Sequence, residues 1–321
     1  MLFSLLKFPA KLAFLIYCRH IRYRNKAMLQ SDGPLMIAAN HPNSFLDAII
    51  LATLFKKPIY SLARGDAFKK PFFAKLLASL NILPVYRVTE GVENLEHNYT
   101  TFDRCREIFK RGGIVLIFSE GRCINEWHLR PLMKGTARLA LSSWEAGIPL
   151  KVLPTGINYS SFVTFGKNIQ LNFGQYITAN DVILDSGHGR SIASFNGLLK
   201  AQLQSMVVQV PKTDRPQIKM QMGVSVSTAK KAVLLLPAVL GWLLHAPLYL
   251  PIKRFALKAA APYDHYDSVV MGLLFLLYPL YLLLISIAAF FISGTPWVFL
   301  LWLLMPFCAW AYTQVKHQFE G

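Results

Sequence analysis

The chain has 321 residues, 54% of them apolar and only 16% charged, against roughly 45–50% and about 25% in an ordinary soluble domain. That balance excludes global disorder and argues against free solubility. The 34 Lys and Arg outnumber the 17 Asp and Glu, for a net charge of +17, so the chain calls for a polyanionic partner, and the apolar excess makes that partner a phospholipid membrane rather than nucleic acid.

Residues 1–32 open the chain as a membrane-interface helical segment. Leu5, Leu6, Leu12, Phe14 and Leu15 supply apolar surface, while Lys7, Lys11, Arg19, Arg22 and Arg24 interrupt and follow it. A cleavable leader would carry its charges before one unbroken apolar core, so an amphipathic helix in the headgroup layer is predicted. An ordinary amphipathic helix packed on the neighbouring domain is the alternative.

From residue 33 to 210 short β-branched runs alternate with amphipathic stretches. Strands are predicted at Pro34–Ala39, Pro58–Leu62, Ile82–Tyr86, Ile114–Phe118, Lys151–Asn158 and Ile169–Phe173. Helices are predicted at Ser44–Phe55, Asp66–Leu80, Glu93–Lys110 and Lys134–Glu145. The alternation predicts an α/β domain with a mostly parallel sheet flanked by helices, whose function collects where strands end and helices begin. Residues 211–229 read as a linker.

Residues 230–268 contain an apolar run with Pro237, Pro247 and His245, bounded by Lys230 and Lys231 before it and Lys253, Arg254 and Lys258 after it. Positive charge at both ends predicts a segment that enters the bilayer and returns, or lies along its surface. Residues 269–321 then form a two-helix transmembrane anchor. Its first helix, Val269–Ile292, has no charge over 24 residues, where about 20 suffice to cross ~30 Å of hydrocarbon. Basic residues flank the hairpin and none occupies its turn, so an integral membrane protein with its α/β domain on the cytoplasmic face is expected. The cysteines, Cys18, Cys105, Cys123 and Cys308, form no C-x-x-C pair, which points to neither a zinc site nor a disulfide framework.

Four strand ends carry candidate chemistry. After the first, His41 precedes Asp47 by six residues; the carboxylate can orient the imidazole, leaving its second nitrogen to take a proton from an alcohol. A solvated turn with Asn43 or Ser44 capping the helix is the bland alternative. Ile114–Phe118 runs into Ser119-Glu120-Gly121-Arg122, a carboxylate, a flexible backbone and a guanidinium fork suited to phosphate. Lys134 opens the next helix and adds a second cation. Leu83 to Arg87 again delivers an Arg at a strand end, and Pro154 interrupts a strand, as happens at edges or bulges.

In this order the four elements resemble the glycerolipid acyltransferase family, over about Pro34 to Asn158. His41 with Asp47 resembles the family's catalytic block, Leu83 to Arg87 the block whose Arg holds the acceptor phosphate, Phe118 to Gly121 the Phe-Pro-Glu-Gly block, and Val152 to Pro154 the last. Ser119 stands where the family has Pro, and five residues separate His41 from Asp47 where four are common. That spacing is closer to the branch acylating glycerol 3-phosphate or dihydroxyacetone phosphate.

The resemblance implies that His41 and Asp47 are catalytic, that Arg87, Glu120, Gly121, Arg122 and Lys134 serve the acceptor phosphate, and that Pro154 serves the acyl donor. It also implies acyl-CoA or acyl-carrier protein as co-substrate, with no further cofactor and no metal. Acylation of 1-acylglycerol 3-phosphate and a non-catalytic lipid-binding scaffold remain the rival readings.

Overall fold

The computed structural model describes residues 2–86, 96–183 and 187–319. Its centre is a seven-stranded sheet: β1 (Cys18–Arg24), β2 (Leu35–Ala39), β3 (Ile59–Arg64), β4 (Ile82–Val85), β5 (Ile114–Phe118), β6 (Lys151–Tyr159) and β7 (Lys167–Phe173). The spatial order is β1-β7-β6-β2-β5-β3-β4, parallel throughout except for the antiparallel β6–β7 pair. β2 and β5 lie at the centre, and every residue from Leu35 to Ala39 is fully buried. Burial on both faces is why they read as unbroken apolar runs.

Helices cover both faces. On one lie α1 (Leu2–Tyr17) and α2 (Phe45–Leu54). On the other lie α4 (Glu96–Lys110), α5 (Lys134–Glu145) and α6 (His188–Met206), with α3 (Pro71–Ser79) beside the β4 edge. The Lys7 ammonium donates to the Phe55 carbonyl at 2.6 Å, placing a cation on the α2 C-terminus where the helix dipole favours it. α1 buries Phe14 and Tyr17 against the domain and exposes Leu5, Phe8, Leu12 and Leu15, so it packs on the domain and presents an apolar face outward.

Two expectations are corrected. The predicted N-terminal helical segment ends at Tyr17, and Cys18–Arg24 is an edge strand paired parallel to β7, its His20, Arg22 and Arg24 facing out and Ile21 and Tyr23 partly covered. The predicted linker contains α7 (Arg215–Met222), capped by Asp214 and burying Ile218 and Met222 against Val208, Val210 and Trp127.

The C-terminal part comprises α8 (Thr228–Ala259), α9 (Tyr266–Ser293) and α10 (Leu301–Val315), the last preceded by a 3-10 turn. Among the described residues, these are the helices long and apolar enough to cross a membrane. α9 and α10 form a hairpin whose turn is closed by Gly294 at φ +67°, the left-handed conformation glycine adopts freely. α8 is one continuous helix of 32 residues, about 48 Å long, yet both its ends stay at the base of that hairpin. Near its start the Lys230 ammonium donates to Gln314 in the last turn of α10 at 2.8 Å. Near its end Ile252 and Ala256 join Tyr266 and Val270 of α9 in the core under the sheet. Gly241, midway, meets the α10 backbone so closely that a Cβ there would lie 2.1 Å from the Cys308 carbonyl oxygen. The middle of α8 reaches well up the hairpin, where the Tyr281 hydroxyl donates to the Leu244 carbonyl at 2.7 Å, while basic residues stand near both of its ends.

Candidate active site

β2, β3, β5 and β6 all run parallel and end on one side of the sheet. Their carboxyl ends deliver His41, Arg64, Glu120 and Tyr159 respectively to that side. Asn40 fixes the exit from β2: its side-chain amide accepts the Ile157 N–H at 2.8 Å and donates to the Ile157 carbonyl at 3.0 Å, extending the ladder by one rung. The His41 ring then lies flat on Phe118, centroids 3.8 Å apart and planes 10° from parallel.

His41 Nδ1 lies 2.9 Å from Asp47 Oδ2. Asp47 is fully buried, and its carboxylate also accepts the Asn43 N–H at 2.8 Å and the Tyr159 hydroxyl at 2.7 Å. Burial and the adjacent Asp47 charge push the Tyr159 phenol far up, which keeps it a donor. With Nδ1 engaged, Nε2 is the ring nitrogen left for a substrate proton, and the side chain is 16% exposed.

The extra residue between His41 and Asp47 is taken up at Ser44, at φ +52° and ψ −135°, a conformation that costs a non-glycine residue about 1–3 kcal/mol. Surrounding groups hold it there: the Ser44 N–H donates to Cys123 Sγ at 2.9 Å and the Phe45 N–H to Ser268 Oγ at 3.1 Å. Burial, and secondly the Asp47 charge, push the Cys123 thiol well up, so it stays a thiol and offers no nucleophile.

Glu120 is 4% exposed and joins two backbones: one oxygen accepts the His41 N–H at 2.7 Å, the other the Arg130 N–H at 2.8 Å. Each oxygen thus holds one main-chain amide, which ties the turn at His41 to the turn at Arg130. Burial raises its pKa, opposed by the two amide donors. Ionising it therefore costs folded stability as pH rises through its titration, and the two hydrogen bonds offset that cost. Glu120→Gln has one oxygen to offer two amides. It should lose about 1–3 kcal/mol of stability in denaturant unfolding, the cost of a buried donor left unmet, and kcat should fall with it.

Gly121, at φ +66°, turns the chain, and its N–H donates back to the Phe118 carbonyl at 3.0 Å, so that amide is not free for an oxyanion. Ser119 has a visible reason to replace proline: its N–H continues the ladder to the Ala39 carbonyl at 2.8 Å. Its carbonyl accepts the Met133 N–H at 2.7 Å, bringing the start of α5, and with it the exposed Lys134, to the end of β5. Arg122 is likewise exposed at the rim.

Pro154 is corrected: it is buried inside β6, level with Ala38, on the face that packs against α6, and its carbonyl accepts the Gly174 N–H at 2.9 Å. Its missing N–H lies on that same edge, where β7 pairing has just ended. It offers no surface to an acyl donor. Arg87 lies outside the described residues; β4 ends at Val85 beside Arg64.

Two cations escaped sequence reading. Arg64 ends β3 and is paired with Asp66; burial chiefly lowers the pKa of His265, opposed by Asp264 and aided by Arg64 and His41. Arg130 shares Glu120 with His41, its Nε lies 3.4 Å from Glu126, and its buried Nη1 has no partner among the described residues. The signal for Arg64 was a basic residue at a strand end; Arg130 follows no strand, and only the fold brings it in. No group of three His, Cys, Asp or Glu able to hold a metal occurs among the described residues.

An imidazole held by a buried carboxylate at the carboxyl edge of a parallel sheet has the parts that a general base acting on an alcohol requires. The family model described as Acyltransferase matches residues 20–158, somewhat less than half of the chain, and over that stretch the chain is similar to acyltransferases. It is 25% identical over 175 residues to a chloroplastic 1-acyl-sn-glycerol-3-phosphate acyltransferase of Brassica napus, covering 52% of this chain and 48% of that one. It is 26% identical over 126 residues to a chloroplastic enzyme of the same name from Arabidopsis thaliana, covering 39% and 33%. The chain thus spans about half or less of the curated relatives it matches. The solved structure of the 1-acyl-sn-glycerophosphate acyltransferase of Thermotoga maritima is similar at TM-score 0.46 and 14% identity, covering 70% of this chain and 81% of that one.

Proposed function

We propose that this chain moves a fatty acyl group from a thioester, acyl-CoA or acyl-carrier protein, to a hydroxyl of a glycerophosphate at a membrane surface, as a step in phospholipid synthesis. The observation that carries this reading is the His41–Asp47 pair, 2.9 Å apart, opening among cationic side chains. His41 Nε2 takes the hydroxyl proton as the oxygen attacks the thioester carbonyl, and the imidazolium, stabilised by Asp47, returns that proton to the departing thiolate. The acceptor phosphate meets Arg122 and Lys134, with Arg87 as a further candidate from the sequence. The acyl chain and the product lie in the bilayer that the α9–α10 hairpin enters, with the α/β domain on its cytoplasmic face.

For the acceptor, the names of both curated relatives favour 1-acylglycerol 3-phosphate. Glycerol 3-phosphate or dihydroxyacetone phosphate is the second reading, favoured by the five-residue interval between His41 and Asp47. The test supplies the purified full chain, in phospholipid–detergent micelles, with labelled acyl-CoA or acyl-carrier protein and each acceptor in turn. Labelled phosphatidate formed from 1-acylglycerol 3-phosphate is the expected product. Preferential labelling of glycerol 3-phosphate would move the acceptor to the second reading, and transfer to none of the three would overturn the enzyme assignment in favour of a lipid-binding scaffold.

A further inference from the structure

The membrane helix α9 begins beside the catalytic loop, and its first turn carries a carboxylate that the general-base scheme does not use. Asp267 and Lys167 are both fully buried and ion-paired, and both lie beyond the stretch matched by the family model. Asp267 also accepts the Tyr17 hydroxyl and, at 2.6 Å, the side-chain amide of Asn43. The backbone N–H of that same Asn43 donates to Asp47 Oδ2, the oxygen that faces His41. One residue further along α9, Ser268 Oγ accepts the Phe45 N–H. The carbonyl of Asp264, just before the helix, lies 3.9 Å from the Cys123 thiol whose sulfur takes the Ser44 N–H. The amides of Asn43, Ser44 and Phe45 are therefore held, directly or through one intermediary, by the start of a membrane helix or by Asp47 itself.

A buried ion pair is a poor way to gain stability, since well-packed apolar residues of similar volume often do as well or better. What Asp267 does that a leucine cannot is accept from Asn43. We propose that Asp267, held in place by Lys167 and Tyr17, is a positioning residue for acyl transfer: it fixes Asn43, which in turn keeps Asp47 aimed at His41. The membrane hairpin is then a working part of the active site as well as its anchor. This inference rests on the acyl-transfer reading of the His41 site.

The test uses the full chain in lipid nanodiscs. Asn43→Ala leaves the Lys167–Asp267 pair intact, and the double variant Lys167→Met with Asp267→Leu removes both charges together, so that neither is left buried alone. Each should lower kcat roughly 10- to 100-fold, the scale of a small misplacement of a reacting group, with KM for donor and acceptor nearly unchanged. In an Asp47→Asn background, Asn43→Ala should cost little more, because the group it positions has lost its charge. Hydrogen exchange supplies a readout independent of turnover: the amides of residues 43–45 should exchange faster in both variants while β2 and β5 keep their protection. Wild-type kcat in both variants, full multiplication of the Asn43 and Asp47 effects, or unchanged exchange at residues 43–45 would each overturn the proposal. Accelerated exchange in a protein that transfers no acyl group would uphold the tether and reject the acyl-transfer reading instead.

Discussion

Replacing His41 with alanine is expected to lower acyl transfer by a factor of roughly 10² to 10⁴, the range general acid–base catalysis supplies, with little change in KM. The ring sits on Phe118 at 3.8 Å and is held at Nδ1 by Asp47, so its plane is fixed and Nε2 has one direction in which to meet a hydroxyl. Alanine removes the base and leaves the cationic rim, which continues to bind and orient both substrates; residual turnover measures that contribution. His41→Gln separates chemistry from shape, because glutamine fills space and forms hydrogen bonds but takes no proton at neutral pH. Both variants should fall together in kcat. The fold should survive, since His41 is partly exposed and the loop keeps its backbone bond to Glu120; thermal unfolding of the purified proteins checks that. Turnover within a few-fold of wild type in either variant would remove His41 from the chemistry.

Much of the sheet was legible because central parallel strands are buried on both faces and read as apolar runs. Leu35–Ala39 and Ile114–Phe118 agree with their predicted bounds to within a residue. β1 was missed for the opposite reason. It is an edge strand whose outward positions carry His20, Arg22 and Arg24, and a basic run directly after an amphipathic helix reads as more of that helix. The period-two alternation from His20 to Arg24 was the available signal. α7 was missed because it is eight residues long and buries only Ile218 and Met222, too little for a periodic pattern.

At the site, sequence order was enough to pair His41 with Asp47, because both come from one strand–loop–helix junction. It was not enough for Tyr159, which reaches Asp47 from β6 across the sheet, or for Asp267, which arrives from a helix 220 residues later in the chain. Partners so distant in sequence leave no spacing to read. Glu120 shows a different limit. Its place after a strand was read correctly as functional ground, but which groups its two oxygens meet is decided by the turn at Gly121 and the return of the chain at Arg130. Pro154 was drawn toward the site by its rarity in strands, when the interruption it makes lies on the edge where β7 stops pairing.

Asp47→Asn isolates the second half of the mechanism, the charge behind the imidazole. The carboxylate accepts three donors, two of them, His41 Nδ1 and the Asn43 N–H, on the same oxygen. Asparagine has one oxygen and one NH₂ group. If the NH₂ faced His41 it would also oppose the Asn43 N–H, so the oxygen must take that side and the NH₂ must face Tyr159. The tautomer of His41 is then preserved and only the negative charge is lost. We expect kcat to fall on the order of 10²- to 10³-fold, less than the ≈ 10⁴ seen in Ser-His-Asp hydrolases, where the same exchange also leaves the wrong tautomer. KM should hold, because Asp47 is buried behind His41 and meets no substrate. The Tyr159 hydroxyl meanwhile loses its acceptor in a fully buried place, at a cost of about 1–3 kcal/mol. The companion change Tyr159→Phe removes that unmet donor. In the double variant the buried Asn NH₂ group faces a phenyl ring and lacks an acceptor, so the stability measured by denaturant unfolding should recover at most in part, while kcat stays low because the negative charge behind the imidazolium is gone. A double variant that regained turnover along with stability would show that Asp47 acts by holding the loop in shape, with no part for its charge in the transition state.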